Sequence, residues 1–249
     1  MVSYYKSCFC LLFSILFLSA EIYSQTAPSG DTDKVCRNDS VHFRFKDQAV
    51  PVALIAGGLI IEAANVKKDI QSFFPRTNTR ADDYLRYVPV GLLYGSDIIR
   101  TRHRNNVFNQ TKLLLISELT TAILTQTIKK LTNITRPNGG NLSFPSGHTS
   151  EAFTFATVLY KETIDYDPVL AYSGYLFSSA TGVLRITNNR HWASDVLVGA
   201  GLGIIVTNLV YYINPFRNWD PLKLNDKTQI TPCIDPGSGT CGVSVNVVF

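Results

Sequence analysis

The sequence has no pair of cysteines or histidines at the spacing of a structural zinc site, which excludes a metal-framed fold. It has only five cysteines and four histidines in 249 residues. It also lacks long runs of one charge: charged residues make up 17 % of the chain, the formal net charge is +4, and basic residues do not interleave with aromatics. That argues against a nucleic-acid-binding surface. No internal repeat is apparent, and no carboxylate-rich cluster adjoins the chemistry-bearing residues, so neither a metal nor another cofactor is expected.

What the sequence does have is three short clusters with a shared chemistry. Lys129 is followed by Arg136 and Pro137; then comes Pro145-Ser146-Gly147-His148; then Arg185, His191 and Asp195. Together they supply three cations, two imidazoles, one hydroxyl and one carboxylate. This is the inventory that phosphoryl transfer through a histidine requires, with cations on the phosphate oxygens and two imidazoles dividing the nucleophile and acid roles.

In these residues the chain resembles the type 2 phosphatidic acid phosphatase superfamily, which includes bacterial acid phosphatases, lipid-phosphate phosphatases and vanadium-dependent haloperoxidases. The resemblance runs from about Lys112 to Ile213. One position departs from the usual pattern: Leu184 stands where the third motif normally has serine before its arginine, which removes a peripheral hydrogen bond and keeps the charged spacing. The resemblance implies that His191 is the nucleophile that forms a phosphohistidine and that Asp195 orients its ring. It implies that His148 is the general acid for the leaving alkoxide. Lys129, Arg136 and Arg185 would clamp the phosphoryl oxygens, with hydrogen bonds added by Ser146 and the Gly147 amide. Asp82, Asp83 and Tyr84 read as a helix start, with lining the site as the alternative; Asn188, Asn189 and Trp192 flank the expected nucleophile and are candidates for supporting or substrate contacts; Lys130 and Arg190 read as solvated surface charges.

Apolar stretches between polar loops predict helices at Pro51 to Ala64, Asp83 to Ile99, Thr111 to Lys130, His148 to Glu162, Pro168 to Ile186 and Ala193 to Ile213. The expected fold is all-α, a bundle of about six helices with the active site at one end and a short irregular or hairpin tail. Residues 1–25 read as a secretory signal peptide, with a retained anchor as the alternative. The expected organisation is then an extension over 26–50, the helical domain over 51–214 and the tail over 215–249. Cys8 and Cys10 fall in the signal segment. Cys233 and Cys241 flank a Pro-Gly-Ser-Gly turn and can pair or remain free.

Asn-x-Ser/Thr sequons occur at Asn38, Asn109, Asn133 and Asn141, and two of them fall between the first two motifs, where a glycan would crowd the site, which favours a bacterial envelope protein over a glycosylated eukaryotic one. Val196 to Ile213, without a charge, and Pro168 to Leu184, nearly as long, both pass a loose test for spanning a membrane, whereas Glu118 interrupts one helix and Thr149 to Tyr160 is short and polar. The basic loop from Arg100 to Arg104 favours the cytoplasm, which conflicts with every helix spanning.

The functional expectation is a metal-independent phosphatase on the periplasmic side of a bacterial envelope, soluble or attached to the inner membrane. It would act on phosphomonoesters or pyrophosphates of lipids or small molecules. The rivals are a vanadium-dependent haloperoxidase and a non-catalytic phosphate-binding protein.

Overall fold

The computed structural model describes residues 45–99, 101–213, 228–235 and 240–247, with side chains described over 46–99 and 101–213. The expected signal peptide and most of the expected extension lie outside the described residues. The helices are α1 (Phe45–Ala63), α2 (Lys67–Ser72), α3 (Ala81–Leu85), α4 (Val88–Ile98), α5 (Val107–Thr132), α6 (Gly147–Thr163), α7 (Pro168–Thr187) and α8 (Ala193–Tyr212). An antiparallel hairpin follows, β1 (Thr228–Asp235) and β2 (Thr240–Val247). Its register pairs Cys233 with Gly242 and Cys241 with Ile234, so the two cysteines are not cross-strand partners. The all-α expectation holds for the body of the molecule, and the tail takes the hairpin form.

Prolines account for two departures from the expected helix boundaries. Pro51 does not open α1 but lies inside it. A proline at this position leaves the carbonyl four residues earlier without its helical donor, and the Asn208 side chain of α8 donates to that Asp47 carbonyl at 3.3 Å. The stretch expected to be one helix from Asp83 to Ile99 divides into α3 and α4. Pro89 sits in the first turn of α4 and has no N–H to continue the α3 ladder. The short α2 is polar and carries no buried residue, which is why no apolar pattern announced it.

Helix α8 is the spine of the bundle. A Cβ on Gly203 would lie 2.4 Å from the Ser150 carbonyl oxygen, and one on Gly199 would lie 2.7 Å from that of Ser146. These two glycines, one turn apart, let the backbone of α6 rest directly on α8. Gly201, on another side, admits α1 in the same way, at 2.7 Å from the Pro51 carbonyl oxygen. One core cluster joins Leu93, Leu113, Phe155, Leu159, Val206 and Val210, and a second joins Leu54, Phe153, Ala200 and Ile204.

Polar contacts thread the same interior. Thr125 bonds Ser150 at 3.1 Å, Thr154 donates to Thr121 at 3.1 Å, and Ser178 donates to the Ala152 carbonyl at 2.7 Å. Among the described residues α8 is the one helix long and apolar enough to cross a membrane, and most of it is buried inside the bundle. Helix α7, expected from its sequence to pass as well, does not meet that test.

Candidate active site

The close approach of α6 to α8 fixes the relation between the second and third motifs. Ser146 caps α6, and its N–H donates to the Asp195 carbonyl at 2.9 Å, so the Pro-Ser-Gly-His turn is hung on the first turn of α8. The first motif arrives from the C-terminal end of α5, where Asn133 in the left-handed conformation ends the helix and turns the chain toward Arg136. The Trp192 indole N–H donates to the Thr135 carbonyl at 2.8 Å and ties this loop to the one carrying His191. The C-terminal end of α7 brings Arg185.

These helix ends enclose a cavity of about 620 Å³. Of the expected site residues, Lys129, Arg136, Gly147, His148, Arg185 and His191 line it, together with Arg80, Asp82, Asp83 and Arg190. Five cationic side chains therefore face two carboxylates, the balance of an anion site. Ser146 and Asp195 are fully buried and do not line the cavity. The Ser146 hydroxyl accepts a hydrogen bond from Thr149 at 2.9 Å, which ties the side chain to the first turn of α6 and leaves its own proton to donate.

His191 is buried, and its Nδ1 pairs with Asp195 Oδ2 at 3.3 Å. Asp195 Oδ2 also accepts from the Trp192 N–H at 2.9 Å and from the Ser143 hydroxyl. One carboxylate oxygen thus closes the N-terminus of α8 and fixes the imidazole, leaving Nε2 as the ring nitrogen available to a ligand. Burial pushes the His191 pKa down to about 4, against the opposing pull of Asp195. The ring is neutral at pH 7, the state a nucleophile needs.

The cations are not free-floating. Lys129 Nζ donates to the carbonyls of Leu142 at 2.8 Å and Ser143 at 3.2 Å, and burial followed by the neighbouring Arg136 lowers its pKa to about 8. Arg136 Nε donates to the Asn141 carbonyl at 3.1 Å. Arg185 Nη1 meets Asp82 Oδ2 at 2.6 Å, while its buried Nε has no hydrogen-bond partner among the described residues.

His148 Nε2 lies 2.9 Å from Asp83 Oδ1. Its pKa falls to about 4 through burial first and the nearby Arg185 second, with Asp83 opposing. The Asp83 carboxyl is in turn held below its ordinary value, chiefly by the bond to His148.

Asp82 and Asp83 lie in the first turn of α3, as the helix-start reading expected, and they also line the cavity and grip motif residues. Asn188, a candidate for supporting contacts in the sequence, donates to Asp82 Oδ1 at 2.9 Å and accepts from Thr77 at 2.9 Å and from the Thr79 N–H at 3.1 Å. It straps the Asn78–Arg80 wall of the cavity to the end of α7. Arg190, read as a surface charge, also faces the cavity. Asp82, Asp83 and His148 bring three potential metal-ligand atoms within 4.8 Å of one another. Arg185, Asn188 and the Asp83–His148 bond already engage them, and the surrounding cations suit an anion better.

Residues 110–219 match the family model described as the PAP2 superfamily. Over 93 residues the chain is 47 % identical to the lipid A 1-phosphatase of Porphyromonas gingivalis; the match covers 37 % of this chain and 21 % of that protein, so the chain spans about a fifth of the length of its curated relative. A crystal structure of Aquifex aeolicus LpxE aligns with TM-score 0.43 and 26 % identity over 52 % of this chain and 82 % of that one. A transmembrane PAP2-type phosphatidylglycerolphosphate phosphatase from Bacillus subtilis aligns with TM-score 0.46 and 19 % identity over 66 % and 96 %.

Proposed function

We propose that the protein is a phosphatase that removes phosphate from a phosphorylated lipid by way of a phosphohistidine at His191. The observation that carries this reading is the pairing of His191, held at Nδ1 by Asp195, with a second imidazole across a five-cation cavity. In the proposed reaction Arg185, Arg136 and Lys129 hold the phosphoryl oxygens and spread their developing charge. His191 Nε2 forms a bond to phosphorus as the bond to the leaving oxygen breaks, and His148 supplies that oxygen with a proton. Water then attacks phosphorus, giving a proton back to His148, and the phosphorus–nitrogen bond breaks.

A lipid substrate is favoured by the outer surface. Leu119 and Ile123 on α5, Ile60 on α1 and Leu176 on α7 are all more than 60 % exposed. Hydroxyl contacts inside and apolar side chains outside suit a bundle in contact with a membrane. The resemblance in sequence to a lipid A 1-phosphatase points the same way. We place the activity on the periplasmic side of the envelope, on the strength of the secretory-signal pattern in residues 1–25.

The test is a panel of lipid phosphates, lipid pyrophosphates and soluble phosphate esters, assayed with and without detergent on wild type and His191→Ala. Lipid phosphates should turn over fastest, and the variant should lose about a thousandfold or more in rate with its fold retained. Substantial turnover by the variant would remove His191 as nucleophile, and preference for soluble esters in the absence of detergent would remove the lipid assignment.

A further inference from the structure

Helix α3 is a single turn, yet it sends two consecutive carboxylates to two different catalytic neighbours. Adjacent residues on a helix point about 100° apart. Asp82 accordingly turns inward, buried against Arg185 of α7, while Asp83 turns toward His148 at the start of α6. Arg86, the C-cap of α3, locks this turn to α6. Its Nη1 meets Glu151 Oε2 at 2.7 Å, its Nε donates to the Asp83 carbonyl at 3.2 Å, and its guanidinium lies 4.5 Å over the Tyr87 ring. Glu151 follows His148 by one helical turn, so the brace and the imidazole are anchored to the same stretch of α6.

We infer that Asp83 is the positioning residue for the leaving-group acid: it holds His148 by Nε2 so that Nδ1 carries the transferable proton toward the substrate. This rests on the phosphatase reading above. During cleavage the Nδ1 proton passes to the leaving oxygen as the phosphorus–oxygen bond breaks and the His191 nitrogen–phosphorus bond forms. Throughout, the Nε2–H stays donated to Asp83, whose negative charge offsets the imidazolium before transfer. In the second half-reaction the neutral Nδ1 takes a proton from the attacking water.

The charged groups around His148 make such a partner necessary. Arg185 from α7 and Arg86 from the end of α3 both disfavour its protonation, and Lys129 from α5 shares the cavity; Glu151 on its own helix is engaged by Arg86. Asp83 is the carboxylate in direct contact with the ring, since Asp82 is taken by Arg185. Without Asp83 the imidazolium would lose its nearest counter-charge, and the proton would leave at lower pH.

The experiment compares Asp83→Asn, Asp83→Glu, His148→Ala and the double variant Asp83→Asn/His148→Ala, each checked for retained vanadate binding. The substrates are an alkyl phosphate and p-nitrophenyl phosphate. Asp83→Asn should lose roughly ten- to a hundredfold in kcat on the alkyl ester, within the range general acids supply, and far less on the nitrophenyl ester, whose leaving group needs little protonation. The basic limb of its pH–rate profile should move to lower pH, Asp83→Glu should restore part of the loss, and the double variant should be no slower than His148→Ala. Equal losses on both esters, or an unmoved basic limb, would reduce Asp83 to a structural contact and overturn this inference alone. A wild-type protein without His191-dependent turnover would overturn the phosphatase reading and this inference with it.

Discussion

Lys129 does two jobs with one ammonium. Two of its three donors go to the Leu142 and Ser143 carbonyls, which shapes the approach to the Pro-Ser-Gly-His turn, and its position in the cavity wall leaves the third for the phosphoryl group of the proposed reaction. Cations fixed in this way do the work a metal would otherwise do, so turnover should survive EDTA while vanadate, a phosphate mimic, inhibits it at low concentration. A steady-state assay with each reagent checks this, and strict dependence on added magnesium would contradict it. At this scale the sequence was most informative where spacing was short. Arg185, His191 and Asp195 lie within one loop and two helix ends, and their separations announce a shared site. Asp82 is 103 positions before Arg185 and Asp83 is 65 before His148, so no local spacing marks their partnership, and two acids before an apolar run fit a helix start equally well. Ser146 shows the opposite case. Its place in a motif suggested the cavity, but the side chain is buried outside the cavity lining, where its hydroxyl accepts from Thr149.

Among the elements, α6 and α8 set the geometry of the site because no side chain separates them at Gly199 and Gly203. Gly203→Ala should destabilise the protein by about 1–3 kcal/mol, the usual cost of overpacking, since the obstructing atoms are the backbone of Ser150 and Thr154. It should also lower activity by shifting His148 against His191. Gly57→Ala is the control: a Cβ there meets nothing within 4 Å, and replacing a helical glycine by alanine stabilises by about 0.4–1 kcal/mol. Thermal unfolding of both variants with parallel activity assays decides the matter. The long helices were legible because their apolar runs are long. The break between α3 and α4 was not, because Val-Pro-Val reads as continuous hydrophobicity although Pro89 cannot extend the preceding turn. The capping of Pro51's orphaned carbonyl by Asn208 is equally invisible in sequence, since donor and acceptor lie 161 residues apart.

For the whole molecule, the buried imidazoles make stability depend on pH. His148 and His191 both titrate near 4 when folded, against 6.5 as the ordinary value. Below 6.5 the unfolded chain takes up protons that the folded site refuses, so this contribution is complete above 6.5 and is lost as pH falls toward 4. Asp83, held low by His148, adds a further loss only below its ordinary value of 3.8. The Tm of the ligand-free protein should therefore drop between pH 6.5 and 4 in differential scanning calorimetry, and His148→Gln should flatten that drop. The tie from Trp192 to Thr135 has a practical side at the same scale. The chain contains two tryptophans, and this one follows His191 with its indole N–H bonded and Lys67 5.5 Å from the ring centre. Any movement of the first-motif loop against the third changes the polarity around that indole. The protein thus carries its own fluorescent gauge of cavity closure, readable during turnover without a label.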